Sequence, residues 1–352
     1  MAQGRPGSAF AVGSTALTVQ PCDRPVPEGH ACVTAVARFD GPVALAYGGT
    51  LPAVDLAYRL AGRRDAPVVA VLGGISSGRH VFGYEGEPEG WWQESIGPGR
   101  ALDADRYRVI GIDFLGGSHA SSGPAAGQLF PSVASQDQAA MIVRLMDRLG
   151  IERLHGCVGA SYGGMVALAL AERYPDRIDH AVVISAAHRT HPMSTAWRSV
   201  QRAVVRYALG HGEGPQGLAL ARALAMATYR SAREFEERFP GPPEQGPGGF
   251  RFPVEAYLMA RGEAYAAQYR PEAFVCLSES IDLHRVTPES IRTPVTMLAI
   301  VEDQLVPLHD MRELRDRLAG NCRLVEVSSL YGHDAFLKET EVLRDLFAQA
   351  LD

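Results

Sequence analysis

Residues 159–163 read Gly159-Ala160-Ser161-Tyr162-Gly163, a G-x-S-x-G pentapeptide, and its flanks restrict the fold more than any other feature of the chain. An apolar run, Leu154 to Val158, comes before it, and a helical pattern, Met165 to Arg173, comes after. Strand, sharp turn and helix is the context in which this motif carries chemistry: the serine rides a strained turn and its hydroxyl stands clear above a sheet. Small residues at 159 and 163 let the neighbouring backbone pass close by.

The rest of the chain supplies such a sheet. Strand-like runs occur at Val43–Tyr47 and Val54–Leu60, joined by a Gly48-Gly49 turn, and then at Val68–Leu72 and Arg108–Asp113. Ser135–Leu149 has helical spacing, with Met141, Val143, Leu145, Met146 and Leu149 as its apolar positions, and Ile178–Ser185 is the strand after the motif's helix. Strands alternating with helices imply a mostly parallel sheet with helices on both faces. From 189 to 290 the pattern changes to helices, at Ser194–Tyr207, Gly217–Tyr229, Ala232–Phe239 and Val254–Tyr269, interrupted by a Pro/Gly-rich loop, Pro240–Gly249. Strands resume at Val295–Val301 and Cys322–Val327, and a last helix spans Lys338 to Leu351. The expected organisation is an unassigned N-terminal extension (1–39), an α/β core (40–188 and 291–352) and an inserted helical cap (189–290), with no internal repeat.

Composition excludes several function classes. With 46% hydrophobic and 21% charged residues the chain is an ordinary globular one. A net charge of −6 gives no field that would favour nucleic acid. No apolar run reaches the roughly 18 residues of a membrane span. Met1 to Thr18 lacks the basic start and apolar core of a signal peptide, and the five cysteines are odd in number with no CxxC pair. Reduced thiols and a cytoplasmic setting are the expectation, with Cys157 packing as a small apolar side chain.

A serine hydroxyl attacks only when a base removes its proton, and that base is usually a histidine held by a carboxylate. In this fold the chain order is Ser, Asp or Glu, then His. Asp303 directly follows the Val295–Val301 run, with Glu302 as the competing acid, and Pro307 ends the short loop beyond it. His333 lies between the last strand and the last helix, in Gly332-His333-Asp334-Ala335-Phe336-Leu337. The developing oxyanion needs fixed N–H donors. The backbone N–H of Tyr162 is one candidate, and that of Ile75, in the glycine-rich loop after Val68–Leu72, is the other. That loop has neither a GxGxxG pattern nor a P-loop lysine, which argues against phosphate binding. These features define a serine enzyme of the α/β-hydrolase fold with no metal.

Further segments resemble the homoserine O-acyltransferase family of the MetX type. They are Gly48-Gly49-Thr50-Leu51-Pro52 with Leu56-Ala57-Tyr58, Gly90-Trp91-Trp92 with Ile96-Gly97-Pro98-Gly99, Leu102-Asp103 with Asp105-Arg106-Tyr107, and Leu115-Gly116-Gly117 with Ser121-Ser122-Gly123-Pro124. Leu220-Ala221-Arg222 and Thr228-Tyr229-Arg230 in the cap, and the segment around His333, match it too. The resemblance runs from about residue 43 to the end. It implies that Arg222 binds an amino acid's carboxylate, that Tyr229 hydrogen-bonds nearby and that Asp334 holds the α-ammonium. It also implies a homodimer through the cap helices, and acyl-CoA as co-substrate with no permanently bound cofactor. The chain departs from the family at Gly73-Gly74-Ile75-Ser76-Ser77 (usually His-Ala-Leu-Thr-Gly), at Tyr162 (usually Met) and at Asp113 (usually Asn).

The implied reaction is O-acylation of L-homoserine, a step of methionine biosynthesis, through an acyl-serine. Acetyl-CoA is slightly favoured as donor. Succinyl-CoA would need a cation, for which Arg79 is positioned in sequence. Serine as acceptor, a plain esterase or thioesterase with the same triad, and a non-catalytic binding protein are the rival readings.

Overall fold

The structure, a computed structural model, describes residues 18–21 and 26–351. The expectation for Met1 to Thr18 therefore falls, apart from Thr18, outside the described residues. Among those described, nine strands form one sheet: β1 (Thr18–Pro21), β2 (His30–Ala44), β3 (Thr50–Arg63), β4 (Val68–Leu72), β5 (Arg108–Ile112), β6 (Gly156–Ala160), β7 (Ala181–Ile184), β8 (Val295–Ile300) and β9 (Cys322–Val327). Their spatial order is β1-β2-β3-β5-β4-β6-β7-β8-β9. β1 to β3 and the β3–β5 pair are antiparallel; every pairing from β5 onward is parallel.

The parallel centre reads as unbroken apolar runs because it is covered on both faces. β6, β7 and β8 are buried along their whole length. Alternate residues serve opposite faces. In β4, Ala70 and Leu72 join the cluster that includes Met141 and Leu145 of α1 (Ser135–Leu149) and Val166 and Leu170 of α2 (Tyr162–Arg173). Val69 and Val71 join the cluster with Leu343 and Phe347 of α9 (Thr340–Leu351) and with Trp92.

Between β7 and β8 the chain forms α3 (Pro192–Gly210), α4 (Gly214–Tyr229), α5 (Ala232–Arg238), α6 (Pro253–Ala266) and α7 (Pro271–Leu283). After β8 comes α8 (Leu308–Arg317). α7 and α8 are absent from the sequence reading. α8 carries mostly charged residues, and only Asp310, Met311 and Leu314 are buried, so its apolar stripe is too thin to stand out. The Pro240–Gly249 segment is not a plain loop: Glu244–Gly246 pairs with Gly249–Arg251 as a small hairpin. α2 starts at Tyr162, three residues before the sequence pattern suggests, because Gly163 and Gly164 weaken the helical signal.

Sheet pairing also begins earlier than residue 40. β2 extends from His30 and pairs with β3 through Arg63, and β1 adds a further strand. Most of β2 is half-buried or exposed, so it lacks the apolar alternation that marks a strand in sequence. The expectation of reduced thiols holds for Cys157, Cys276 and Cys322 and fails for Cys32, which is disulfide-bonded. No CxxC spacing marks that bond in the sequence. No helix among the described residues is long and apolar enough to cross a membrane.

Close backbone contact fixes the strand–helix turn at Ser161. A Cβ on Gly163 would stand 2.2 Å from the Leu72 carbonyl oxygen, and one on Gly159 would stand 2.2 Å from the Gly163 oxygen. Gly163→Ala should therefore cost about 2–3 kcal/mol in urea denaturation through overpacking. Gly210→Ala, where nothing lies within 4 Å of the new Cβ, should be neutral or slightly stabilising.

Candidate active site

Ser161 sits between β6 and α2 at φ 54 and ψ −119, a backbone conformation that non-glycine residues seldom adopt. Its amide donates to the Ile184 carbonyl at 2.9 Å, and Gly163 N–H donates to the Gly73 carbonyl at 2.8 Å. The turn is thus tied to the strands on either side, which hold the strain in place.

The structure brings Ser161, Asp303 and His333 together. Asp303 lies just past β8 and His333 in the 3-10 turn Gly332–Leu337 beyond β9. His333 Nε2 is 2.9 Å from Ser161 Oγ, and His333 Nδ1 is 2.7 Å from Asp303 Oδ2. The other Asp303 oxygen accepts the Leu305 and Val306 amides at 2.8 and 3.0 Å, which fixes the carboxylate's orientation. With Nδ1 donating to that carboxylate, Nε2 is left as the acceptor for the serine hydroxyl. Glu302, the competing acid, turns away: its carboxylate accepts the Ser329 amide at 2.8 Å and the Ser328 hydroxyl.

Burial alone would lower the His333 pKa, but the adjacent Asp303 carboxylate outweighs it and the net shift is upward. Burial also raises the Asp334 carboxyl, against the lowering effect of Arg230, His333 and Arg222.

A cleft of about 260 Å³ leads to this cluster, lined among others by Ile75, Ser161, Arg222, Tyr229, His333 and Asp334. Among the described residues, no recorded loop hydrogen bond uses the backbone N–H of Ile75 or of Tyr162. The Ile75 carbonyl is held by the Tyr269 hydroxyl at 2.7 Å. The Tyr162 side chain points into the core, 2.5 Å from the Ser280 hydroxyl on α7. Substituting Tyr for the family's Met therefore ties the turn to the inserted helices rather than reshaping the cleft.

Arg222 reaches in from α4. Its guanidinium lies over the Tyr265 and Tyr229 rings, 4.6 and 5.0 Å from their centroids, and donates to the Tyr229 hydroxyl at 3.3 Å. Asp334 is not free: Arg230 Nη2 stands 3.3 Å from it. Arg79 does not serve the cleft. Its amide and its guanidinium both go to the buried Asp113, and it is absent from the lining. Asp113 and Arg79 together fasten the loop after β4, and Ala120 N–H adds a third donor at 3.0 Å.

Sequence reasoning missed Arg189, Arg198 and Trp197, which also line the cleft. Arg198 is paired with Asp282, 84 residues away, so nothing local marks it. His191 and Asp310 of the lining, with His309, hold ligand atoms within 4.8 Å of one another, but Arg189 stands 3.7 Å from the Asp310 carboxylate and competes with any cation there.

The arrangement can generate a serine nucleophile, and it fixes the pH at which it does so. Below the raised His333 pKa, Nε2 carries a proton and cannot accept one. Labelling of Ser161 by a fluorophosphonate should therefore rise with pH through an apparent pKa above 6.5. Asp303→Asn should shift that limb downward and slow labelling by at least about a thousandfold. An unshifted limb in this variant would show that the carboxylate does not set the imidazole's basicity.

The chain matches the α/β hydrolase fold family over residues 68–340. It is 44% identical over 299 residues to a homoserine O-succinyltransferase of Xanthomonas campestris pv. campestris, covering 84% of this chain and 78% of the relative. It is 33% identical over 348 residues to a homoserine O-acetyltransferase of Thermobifida fusca, covering 88% and 92%. A crystal structure of homoserine O-acetyltransferase from Bacillus anthracis superposes with a TM-score of 0.82 over 92% of this chain and 99% of that one; at 19% identity it shows a shared fold.

Proposed function

The chain belongs to the homoserine O-acyltransferase family of α/β-hydrolase-fold enzymes, and on that premise we propose that it acylates the side-chain hydroxyl of L-homoserine from an acyl-CoA by a ping-pong route through Ser161. The observation that carries the route is the unbroken relay from Asp303 through His333 to Ser161 beneath the inserted helices.

In the first half-reaction Ser161 Oγ attacks the thioester carbon while its proton passes to His333 Nε2. Negative charge gathers on the carbonyl oxygen, which the Ile75 and Tyr162 N–H groups receive. The tetrahedral species collapses, and CoA thiolate leaves with the proton from His333. An acyl-serine remains. Homoserine then enters with its carboxylate on Arg222, supported by Tyr229, and its ammonium near Asp334. His333 takes the proton from the homoserine hydroxyl, which attacks the acyl carbon and releases Ser161. Helices α3 to α7 act as a cap that excludes water and holds the hydroxyl in near-attack geometry, so that transfer outruns hydrolysis.

Arg222 suits its role because no carboxylate is among its recorded contacts, only two tyrosine rings and a phenol. A guanidinium in that state has its planar fork available for a carboxylate. Acyl-CoA as substrate goes with a cytoplasmic enzyme of methionine biosynthesis. Exposed apolar side chains on the cap, such as Val200, Tyr207 and Leu220, support a homodimer through these helices.

Intact mass spectrometry before acceptor is added should show an acyl adduct with acetyl-CoA or succinyl-CoA, absent in Ser161→Ala and discharged by homoserine. Failure of both esters to modify the wild type rules the proposal out, and discharge by serine alone reassigns the acceptor. Hydrolysis of simple esters with no gain from any amino acid returns the protein to the esterases. Arg222→Leu should raise the KM for homoserine by about tenfold to a hundredfold, the loss of one charged hydrogen-bonding partner. An unchanged KM would remove Arg222 from the acceptor site.

A further inference from the structure

Three guanidinium groups line the cleft, and they differ in how their charge is met. Arg222 forms no ion pair among the described residues, although Asp334 acts on its charge from farther off. Arg189 faces two anions, with Nη2 3.2 Å from Glu313 and 3.7 Å from Asp310. Arg198, on α3, has to share one. A single oxygen of Asp282 takes Arg198 Nε at 2.8 Å and Nη2 at 2.7 Å, and the other oxygen takes Arg202 Nη1 at 2.6 Å.

One carboxylate therefore serves two side chains that stay charged at any working pH. Arg202 is buried, and its remaining contacts go to Ser278 and Ser199. Arg198 is the member that reaches the cleft, and its Nη1 donates to nothing among the described residues. The surplus positive charge of the pair is thus presented on the cleft side.

We infer that Arg198 receives a carboxylate at the far end of the acyl chain, so that the donor is a dicarboxylic half-thioester of the succinyl-CoA type. The inference rests on the acyl-transfer reading above and replaces the slight preference for acetyl drawn from the sequence. The cleft holds two guanidiniums with unmet capacity, and transfer of a succinyl group to homoserine brings in two carboxylates. Arg222, beside Tyr229 and close enough to Asp334 to influence its charge, suits a zwitterionic amino acid. Arg198 remains for the acyl chain. A carboxylate there gains charge-assisted hydrogen bonds from a preformed fork, whereas an acetyl group carries no carboxylate for that fork to receive. The Arg198 charge also opposes protonation of His333, which puts the two groups in one electrostatic field. Arg79, the cation the sequence suggested, is consumed by Asp113.

The test compares kcat/KM for succinyl-CoA and butyryl-CoA, the neutral acyl chain of equal length, with homoserine as acceptor. The wild-type ratio should exceed about ten, since one charged hydrogen-bonding pair separates the two donors. Arg198→Gln should bring the ratio down by about tenfold or more, and Arg198→Lys, which keeps the charge without the fork, should fall between. A merely structural role for the Arg198–Asp282–Arg202 cluster would lower both donors together and leave the ratio where it was, which overturns the inference. If the variants do not fold, the wild-type ratio decides alone: a value near or below one overturns it. Turnover of acetyl-CoA without succinyl-CoA overturns this inference and leaves the acyl-transfer reading intact. Turnover with no CoA ester at all removes both.

Discussion

The whole site hangs on a backbone conformation that L-residues avoid. Ser161 holds φ 54 because the chain must leave β6 and enter α2 within a single residue. Ser161 N–H on Ile184 and Gly163 N–H on Gly73 oppose relaxation, and the parallel sheet behind them is rigid and buried on both faces. Strain of this kind costs on the order of 1–3 kcal/mol and persists only where the surroundings over-determine it. Its yield is geometric: the hydroxyl is held at the end of β6, 2.9 Å from His333 Nε2. His333 and Asp303 come to that point from the ends of two other strands. The loop at Asp303 is set by its own carboxylate, which caps the Leu305 and Val306 amides with one oxygen and aims the other at the imidazole.

Charge around the cleft is arranged in graded fashion. At Ser161, one carboxylate serves one imidazole and lifts its basicity against burial. On α4, a guanidinium rests on two aromatic faces, with Asp334 acting on its charge but forming no ion pair with it among the described residues. On α3 and α7, two guanidiniums divide one carboxylate. Buried or half-buried cations are costly unless something answers them. Where the protein answers in full, as at Arg79 with Asp113 or Arg59 with Glu87 at 2.6 Å, the pair fastens a loop. Where it answers in part and the group faces open space, a substrate carboxylate can complete the set.

The departures from the family pattern fit this division. Tyr162 and Asp113 occupy buried positions and act on scaffolding: one links the nucleophile turn to α7 through Ser280, the other holds the loop that carries Ile75. Neither residue lines the cleft, and a linear reading has no means of seeing which way a side chain leaves the backbone in a turn.

The central strands and the nucleophile turn were readable because their constraints are local: apolar runs of strand length, small residues where backbones touch, and a helix directly after. Ser161, His333 and the acid-bearing loop could be ordered along the chain for the same reason, since each sits at a strand end. β2 was not readable, because a half-exposed antiparallel strand has no apolar signature, and neither was α8, whose buried face is three residues wide. Sequence favoured Asp303 over Glu302, but only tertiary structure shows which of the two adjacent carboxylates leaves the turn toward His333. Tertiary structure alone cancelled Arg79 and exposed Arg198, because whether a charge is spent depends on a partner, and Asp282 lies 84 residues along the chain from Arg198. Sequence dictated where a nucleophile could be made; spatial pairing of charges determined which cations were left to meet a substrate.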